Sequence, residues 1–445
     1  MKQIVLFSMV LAIILSSCGG AGGGNGELTG VPGRKDYFEP DPFGMVFIPQ
    51  GSFTMGPSDQ DVVWAQNSFS KTVSVMPFWM DETEITNNEY RQFVYWVRDS
   101  IMRRMLGEQL DEFIIAEDEF GNVIDPPFLN WETEIDYQDE EIREILNDLY
   151  LQPHERFFGR KQIDTWKLNY EYFWIDYQQA AKKVNRYNEA TRQYEGSVLN
   201  TNGERLEVTD RSSFVIRDAV NVYPDTLCWI ADFTYSYNEP LTTMYFWHPA
   251  YDNYPVVGVT WKQATAFCIW RTQYLNSYLA SNGEFFVHDY RLPGEGEWEY
   301  SARGGLEHSM YPWGGMYTRN SQGCFLANFK PLRGNYTDDG ALHTANVGQY
   351  EPNEYGLYDM AGNVAEWTSS AYDETAYIFT HDMNPDYKYN ALPDDPPVLK
   401  RKVVRGGSFK DIGYFLQNGT RTYEYQDTAK SYVGFRCVRD YLGGN

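Results

Sequence analysis

Apolar residues open the chain as an almost unbroken run, Ile4 to Leu15, behind the basic Lys2. The run is too short to span a bilayer comfortably and reads as the core of a secretory signal peptide. It ends in Leu15-Ser16-Ser17-Cys18, the pattern at which lipoprotein signal peptidase cuts. Residues 1–17 are therefore expected to be removed and Cys18 to become a lipidated, palmitate-bearing N-terminus. Glycines dominate the next eight positions, so residues 18–42 read as a flexible tether that holds the body near a membrane and outside it.

Beyond the tether the pattern becomes that of a folded domain. Met45–Gly56, MVFIPQGSFTMG, holds two short apolar runs broken at Pro49-Gln50-Gly51, a hairpin-like signal, and Val73 to Met80 reads as a further strand. Thr86-Asn87-Asn88-Glu89 forms a capping box, followed at helical spacing by Tyr90, Phe93, Val94 and Val97. A second box, Thr260-Trp261-Lys262-Gln263, starts a helix with Trp261, Ala264, Cys268 and Leu275 along one side. Pro293 to Ala302 reads as a short helix stopped by Gly304-Gly305, and glycine-rich loops between short strands fill the remainder.

Between these blocks the pattern changes. Glu134 to Leu149 reads as a charged helical stretch and Trp166 to Tyr194 as an aromatic one, with Trp166, Tyr170, Phe173, Trp174 and Tyr177 mostly at i, i+3, i+4 steps. That stripe either packs on the main core or meets another protein. The chain is thus α+β: residues 43–98 and 251–441 form one domain in two segments, and 99–250 is a large, mostly helical insertion.

A net charge of −25 argues against nucleic acid and against docking on an anionic lipid surface. Aromatics make up an unusually rich 17% of the chain, and they favour contact surfaces as well as cores. The six histidines are scattered and there is no C-x-x-C, so neither a structural zinc site nor a Cys/His nucleophile is expected. Outside the inner membrane, Cys228, Cys268, Cys324 and Cys437 allow one or two disulfides.

Eight segments then occur in a telling order: MVFIPQGSFTMG, DETEITNNEYRQF, PVVGVTWKQATAFCIW, RLPGEGEWEYSARGG, YPWG, NEYGLYDMAGNVAEWT, VRGGSF and GFRCVR. Together they resemble the sulfatase-modifying-factor family, whose best-known member is the formylglycine-generating enzyme. The resemblance covers about Met45–Val97 and Pro255–Arg439 and implies an irregular relative of the C-type lectin fold. The start of the mature body and the large insertion further resemble the GldK/PorK type of lipoprotein in type IX secretion and gliding motility. That resemblance implies an outer-membrane location on the periplasmic face and self-association into rings with a GldN/PorN-type partner.

The family resemblance also implies sites. Its copper-binding cysteines align with Asp411 and Leu416, and a carboxylate with an alkyl group cannot replace a thiolate pair on Cu(I). No copper and no nucleotide are expected, and the ancestral pocket reads as dead. Its calcium ligands align better: Asn328 and Asp339 with the carbonyls of Phe329 and Ala341 at one site, and Asp359 (asparagine in the family), Glu366 and the carbonyls of Gly362 and Val364 at the second. Oxygen ligands from loops suit Ca²⁺; the same residues also suit turn capping. Cys268 and Cys437 match a disulfide-linked pair, while Cys228 and Cys324 are expected as free buried thiols. Glu295, Glu297 and Glu299 look like an acid/base cluster but read as structural, with Arg291 and Arg303 as ion-pair partners. The leading expectation is a structural ring subunit; the alternatives are an active modifying enzyme and a ligand-binding lipoprotein.

Overall fold

The computed structural model describes residues 37, 39–57, 69–118, 120–235, 239–331 and 333–443. Cys18, the signal peptide and most of the tether lie outside them. The named elements all fall within the unit Asp41–Tyr441.

The two runs of MVFIPQGSFTMG become strands β1 (Met45–Ile48) and β2 (Gly51–Met55), but they do not pair with each other. The expected single strand over Val73–Met80 is two, β3 (Lys71–Val75) and β4 (Phe78–Asp81), broken at Met76-Pro77. Proline lacks the N–H that a continuous ladder needs. β2 pairs with β3, and β1 pairs with β4 from Met45 opposite Asp81 to Ile48 opposite Phe78.

Both capping boxes form. Helix α1 (Asn87–Gly107) starts with the Thr86 backbone N–H donating to Glu89 Oε2 at 2.8 Å. It buries Tyr90, Phe93, Val94 and Val97 as the spacing predicts, then continues to Gly107, because Ile101, Met102 and Leu106 keep the period going. The boundary placed at residue 98 therefore falls inside a helix.

The insertion is not mostly helical, which corrects that reading. Its first part is a hairpin of β5 (Ile114–Glu117) and β6 (Val123–Leu129), followed by the short helix α2 (Glu140–Ile145) and one 3-10 turn. Phe113, Ile142, Leu146 and Leu149 pack with Met102 and Leu106 of α1. The aromatic stretch is a strand, β7 (Asn169–Ile175), then the short helix α3 (Tyr177–Ala181). β7 pairs along its length with β8 (Val215–Asn221), some forty residues later. Aromatics also favour strands, and positions 170, 172 and 174 alternate as a strand requires. The distant partner strand decides between the two periods.

Helix α4 (Trp261–Ser281) lies against α1 and β7, with Phe267 and Trp270 beside Phe93. Strand β9 (Tyr290–Arg291) leads to α5 (Glu295–Arg303), which ends at Gly304 in the left-handed region, φ +58°. Strands β10 (Ala365–Ala371), β11 (Arg401–Arg405), β12 (Thr422–Tyr425) and β13 (Val433–Gly434) form one sheet in the order β12-β11-β10-β13. The last strand, β14 (Val438–Asp440), sits between β4 and β9, giving β1-β4-β14-β9. Among the described residues no helix is long and apolar enough to cross a membrane.

A buried ionic network joins α5 to both segments of the chain. Glu299, fully buried, accepts from Arg303 at 2.6 Å, from Arg405 at 2.6 Å and from the backbone N–H of Gly56 at 2.9 Å. Glu295 accepts from Arg421 at 2.5 Å and from the Tyr377 hydroxyl at 3.1 Å. Burial alone raises the Glu295 carboxyl, but Arg421 and Arg405 outweigh it and hold it below the usual range. Glu297, on the outer side, takes Arg291 at 2.6 Å. The three glutamates are thus ion-paired as expected, and Arg405, Arg421 and Tyr377 are partners that the sequence pattern did not single out.

Glu299→Gln removes the charge facing Arg303 and Arg405 and leaves two buried guanidinium groups under-compensated. It should lower the unfolding free energy by about 3–5 kcal/mol, read from urea melts; an unchanged midpoint rules out the network as a main support. Lys402, fully buried on β11, donates to the Tyr389 carbonyl at 2.8 Å and lies 3.7 Å from the centre of the Trp261 ring. Burial pulls its ammonium from 10.5 down to about 7, with Asp386 opposing. The native chain thus releases this proton near pH 7 while the unfolded chain holds it to about 10.5, so Lys402 costs most below pH 7 and progressively less above it. Lys402→Met should melt higher than wild type at pH 6, with the gap narrowing as pH rises; a pH-independent gap refutes this.

Candidate functional site

The site is built from the loops that leave β10 and β11. After Arg405 the chain turns through Gly406 and Gly407, both at positive φ. A Cβ on Gly407 would stand 2.8 Å from the carbonyl oxygen of Phe415, so only glycine lets the following loop fold back this closely. That loop carries Asp411 and Leu416. Asp411 turns its carboxylate onto its own loop, accepting from the Ser408 N–H at 3.0 Å and the Ser408 hydroxyl at 2.6 Å. Leu416 is fully buried with Tyr311, Ala327, Phe329 and Ala361. Neither position offers a thiol, and one of them lies within an apolar cluster.

The loops carrying the calcium-type residues cross directly beneath. Asp359 and Asn363 both adopt positive φ, and Gly362 passes so close to Asn328 that a Cβ would stand 2.3 Å from its carbonyl oxygen. The Asn363 N–H donates to that carbonyl at 2.8 Å. Asn328 Nδ2 donates to the His343 carbonyl at 2.8 Å and to Asn363 Oδ1 at 3.2 Å, which leaves Asn328 Oδ1 buried with no partner. Asp339 accepts from the Phe329 N–H at 2.7 Å and, more weakly, from the Ala341 N–H at 3.4 Å. An orphaned amide oxygen near a carboxylate that still has free lone pairs fits a hard cation at this first position. The turn-capping role also operates in the same residues.

The second position is more committed. Both Glu366 oxygens accept from Arg436, the shortest contact being 2.6 Å, and Oε2 also takes the Trp298 indole N–H at 2.7 Å. Asp359 accepts from the Gly348 N–H at 2.6 Å. Burial, with Glu366 adding to it, pushes the Asp359 carboxyl up to about 6. Glu84, fully buried, takes the Asn363 side-chain N–H at 2.7 Å and the Val364 N–H at 3.1 Å; burial and then Asp359 raise its carboxyl well above the usual range. One guanidinium thus faces three carboxyl groups, which favours an added cation, while Arg436 occupies the Glu366 oxygens that such a cation would use. The donor set fits calcium less well here than at the first position. Among the described residues, no three His, Cys, Asp or Glu side chains converge closely enough to hold a metal by themselves, so either position relies on amide and backbone oxygens.

Asn363 and Glu84 are the residues that sequence reasoning missed. Both stand in quoted family segments, and an Asn-Val beside a Gly turn signalled only a bend. The two cysteines aligned with the family's disulfide are neighbours: Cys268 Sγ and Cys437 Sγ lie 3.4 Å apart as thiols, and burial pushes the Cys437 thiol up. Cys228 is buried as expected, but Cys324 is exposed, correcting that expectation; its loop turns outward at Asn320–Cys324, tied by the Cys324 N–H to Asn320 Oδ1.

The aromatic positions of the insertion separate by face. Tyr170 and Trp174 point inward with Tyr172, and Tyr170 meets Phe93 edge-to-face at 5.2 Å and Gln273 through its hydroxyl. Trp166, Phe173 and Tyr177 are 83%, 56% and 72% exposed. The strand alternation gives packing to one set and the surface to the other.

The chain is 34% identical over 200 residues to the formylglycine-generating enzyme of Mus musculus, covering 43% of this chain and 45% of that one. It is 33% identical over 191 residues to the inactive C-alpha-formylglycine-generating enzyme 2 of Bos taurus, covering 42% and 50%. The chain thus spans about half the length of these relatives. The structure of PvdO from Pseudomonas aeruginosa is similar at 17% identity and a TM-score of 0.44, covering 89% of this chain and 94% of that one. The family model for the sulfatase-modifying factor enzyme 1-like domain matches residues 35–124 and 166–441, and the chain belongs to that family.

Proposed function

We infer that this chain is a structural lipoprotein of the GldK/PorK type, without formylglycine-generating activity. Anchored through Cys18 at the periplasmic face of the outer membrane, it builds rings with a GldN/PorN-type partner in type IX secretion and gliding motility. The observation that carries the loss of activity is the pair Asp411 and Leu416: a carboxylate tied to Ser408 and an alkyl group within an apolar cluster supply no soft ligand for Cu(I). Relatives described as inactive make such a loss unexceptional within the family. An active enzyme is the second reading, supported by the match to active relatives. Cys268 and Cys437 form a disulfide in the oxidised protein, and calcium stiffens the loops around Asn328 and Asp339.

Full-length protein extracted in detergent should migrate as rings far larger than a monomer, and with Cu(I), oxygen and a cysteine-bearing sulfatase peptide it should leave the peptide mass unchanged. Formylglycine above a copper-only control sinks the first claim of inactivity; a monomer under all conditions sinks the assembly.

Calcium added after chelation should raise the melting temperature, and Asn328→Ala should abolish most of that rise. A melting curve indifferent to chelator and calcium assigns these residues to turn capping alone.

A further inference from the structure

The insertion is electrically divided. Residues 108–148 carry fifteen acidic side chains against one basic, Arg143, and so supply more than half of the net charge of −25. Residues 177–192 carry Lys182, Lys183, Arg186 and Arg192 against Glu189 alone. The structure places both stretches on the surface and on separate supports. The acidic hairpin β5–β6 is rooted in the α1 cluster through the fully buried Phe113. The basic stretch sits beside the small cluster of Val198, Val208 and Phe214.

Neither surface is neutralised within the chain. Among the described residues the acidic stretch holds one ion pair, Asp148 with Lys167 at 3.6 Å, and Lys182, Lys183, Arg186 and Arg192 are exposed and in none. Each surface also carries apolar groups that a monomer leaves in water. Val123 and Phe128 on β6 are 79% and 64% exposed. Val184, Tyr177 and Tyr187 stand among the lysines, likewise exposed.

An apolar hairpin surrounded by carboxylates repels nucleic acid, anionic lipid and a second copy of itself, because like charges brought together cost free energy. It fits a basic surface with an apolar centre, and this chain carries one. We propose that the β5–β6 hairpin of one copy docks on the Lys182–Arg186 surface of the next. This rests on the self-associating reading given above and assigns its interface. Because the two surfaces differ, each copy in such a contact keeps its other surface free, so association propagates into a closed ring or a filament and does not stop at a dimer.

Charge reversal tests it with the full-length chain in detergent, its mass followed by light scattering at rising concentration. One variant makes the hairpin basic, Glu108→Lys with Glu112→Lys, Glu117→Lys, Asp125→Lys and Glu132→Lys, all at exposed positions. The other makes the basic surface acidic, Lys182→Glu with Lys183→Glu and Arg186→Glu. Each alone should associate at least tenfold more weakly than wild type at an unchanged melting temperature, and raising the salt should weaken wild type. Mixed in equal amounts, the two should reassemble, since every hairpin again meets an opposite charge. Should either charge-reversed variant fail to fold, Phe128→Ser and Val184→Ser put the same question to the apolar centre and should each weaken association about tenfold. Reversed variants that assemble as wild type does, or a mixture that stays dissociated, overturn the proposed surface alone. A wild-type chain that is monomeric at every concentration overturns the self-association on which it rests as well.

Discussion

The contact on which the rest of the molecule depends is the buried carboxylate of Glu299 held between Arg303 and Arg405. A carboxylate removed from water needs charged partners and hydrogen bonds to offset its desolvation. Here that requirement fixes four segments at once: α5 supplies Glu299 and Arg303, β11 supplies Arg405, the turn after β2 supplies the Gly56 N–H, and Ser309 lends its carbonyl to Arg303. Arg405 is also the residue immediately before Gly406-Gly407. The position of the loop bearing Asp411 and Leu416 is therefore set by a fully buried ion pair.

This separation keeps what holds the fold together apart from the loop that carries Asp411 and Leu416. The ionic network, the Asn328–Asn363–Glu84 crossing and the Glu366–Arg436 pair are all made without Asp411 and Leu416. Asp411 and Leu416 each have a local use, one in a Ser-Asp turn and the other in an apolar cluster. Function can change on this scaffold without disturbing what holds it together.

The sequence displayed the family core well and the insertion poorly, for one physical reason. Capping boxes, the glycine stop after α5 and the pairing of Arg291 with Glu297 are local, so short spacings reveal them. Strand pairing is not local. Whether MVFIPQGSFTMG closes on itself depends on β4, and whether Tyr170–Trp174 is helix or strand depends on β8. The stripe of Trp166, Tyr170, Phe173, Trp174 and Tyr177 satisfied a helical period and a twofold one together, and the tertiary partner chose. Glu84 and Asn363 escaped notice because a lone Glu or Asn in a turn-rich segment looks the same whether it faces water or a buried crossing.

The strand order β1-β4-β14-β9 has a consequence for how the molecule is made. Its central partner, Val438–Asp440, comes from the far end of the sequence, opposite Phe78–Met80 near the beginning. That sheet cannot close until Val438–Asp440 has been made, and closing so wide a loop is slow because its entropy is lost before the contact rewards it. Until then Phe78, Trp79 and Met80 lack one neighbour and offer an unpaired edge to whatever is near. A chain with this topology spends its early life in need of protection from aggregation, and its maturation waits on the arrival of Val438–Asp440.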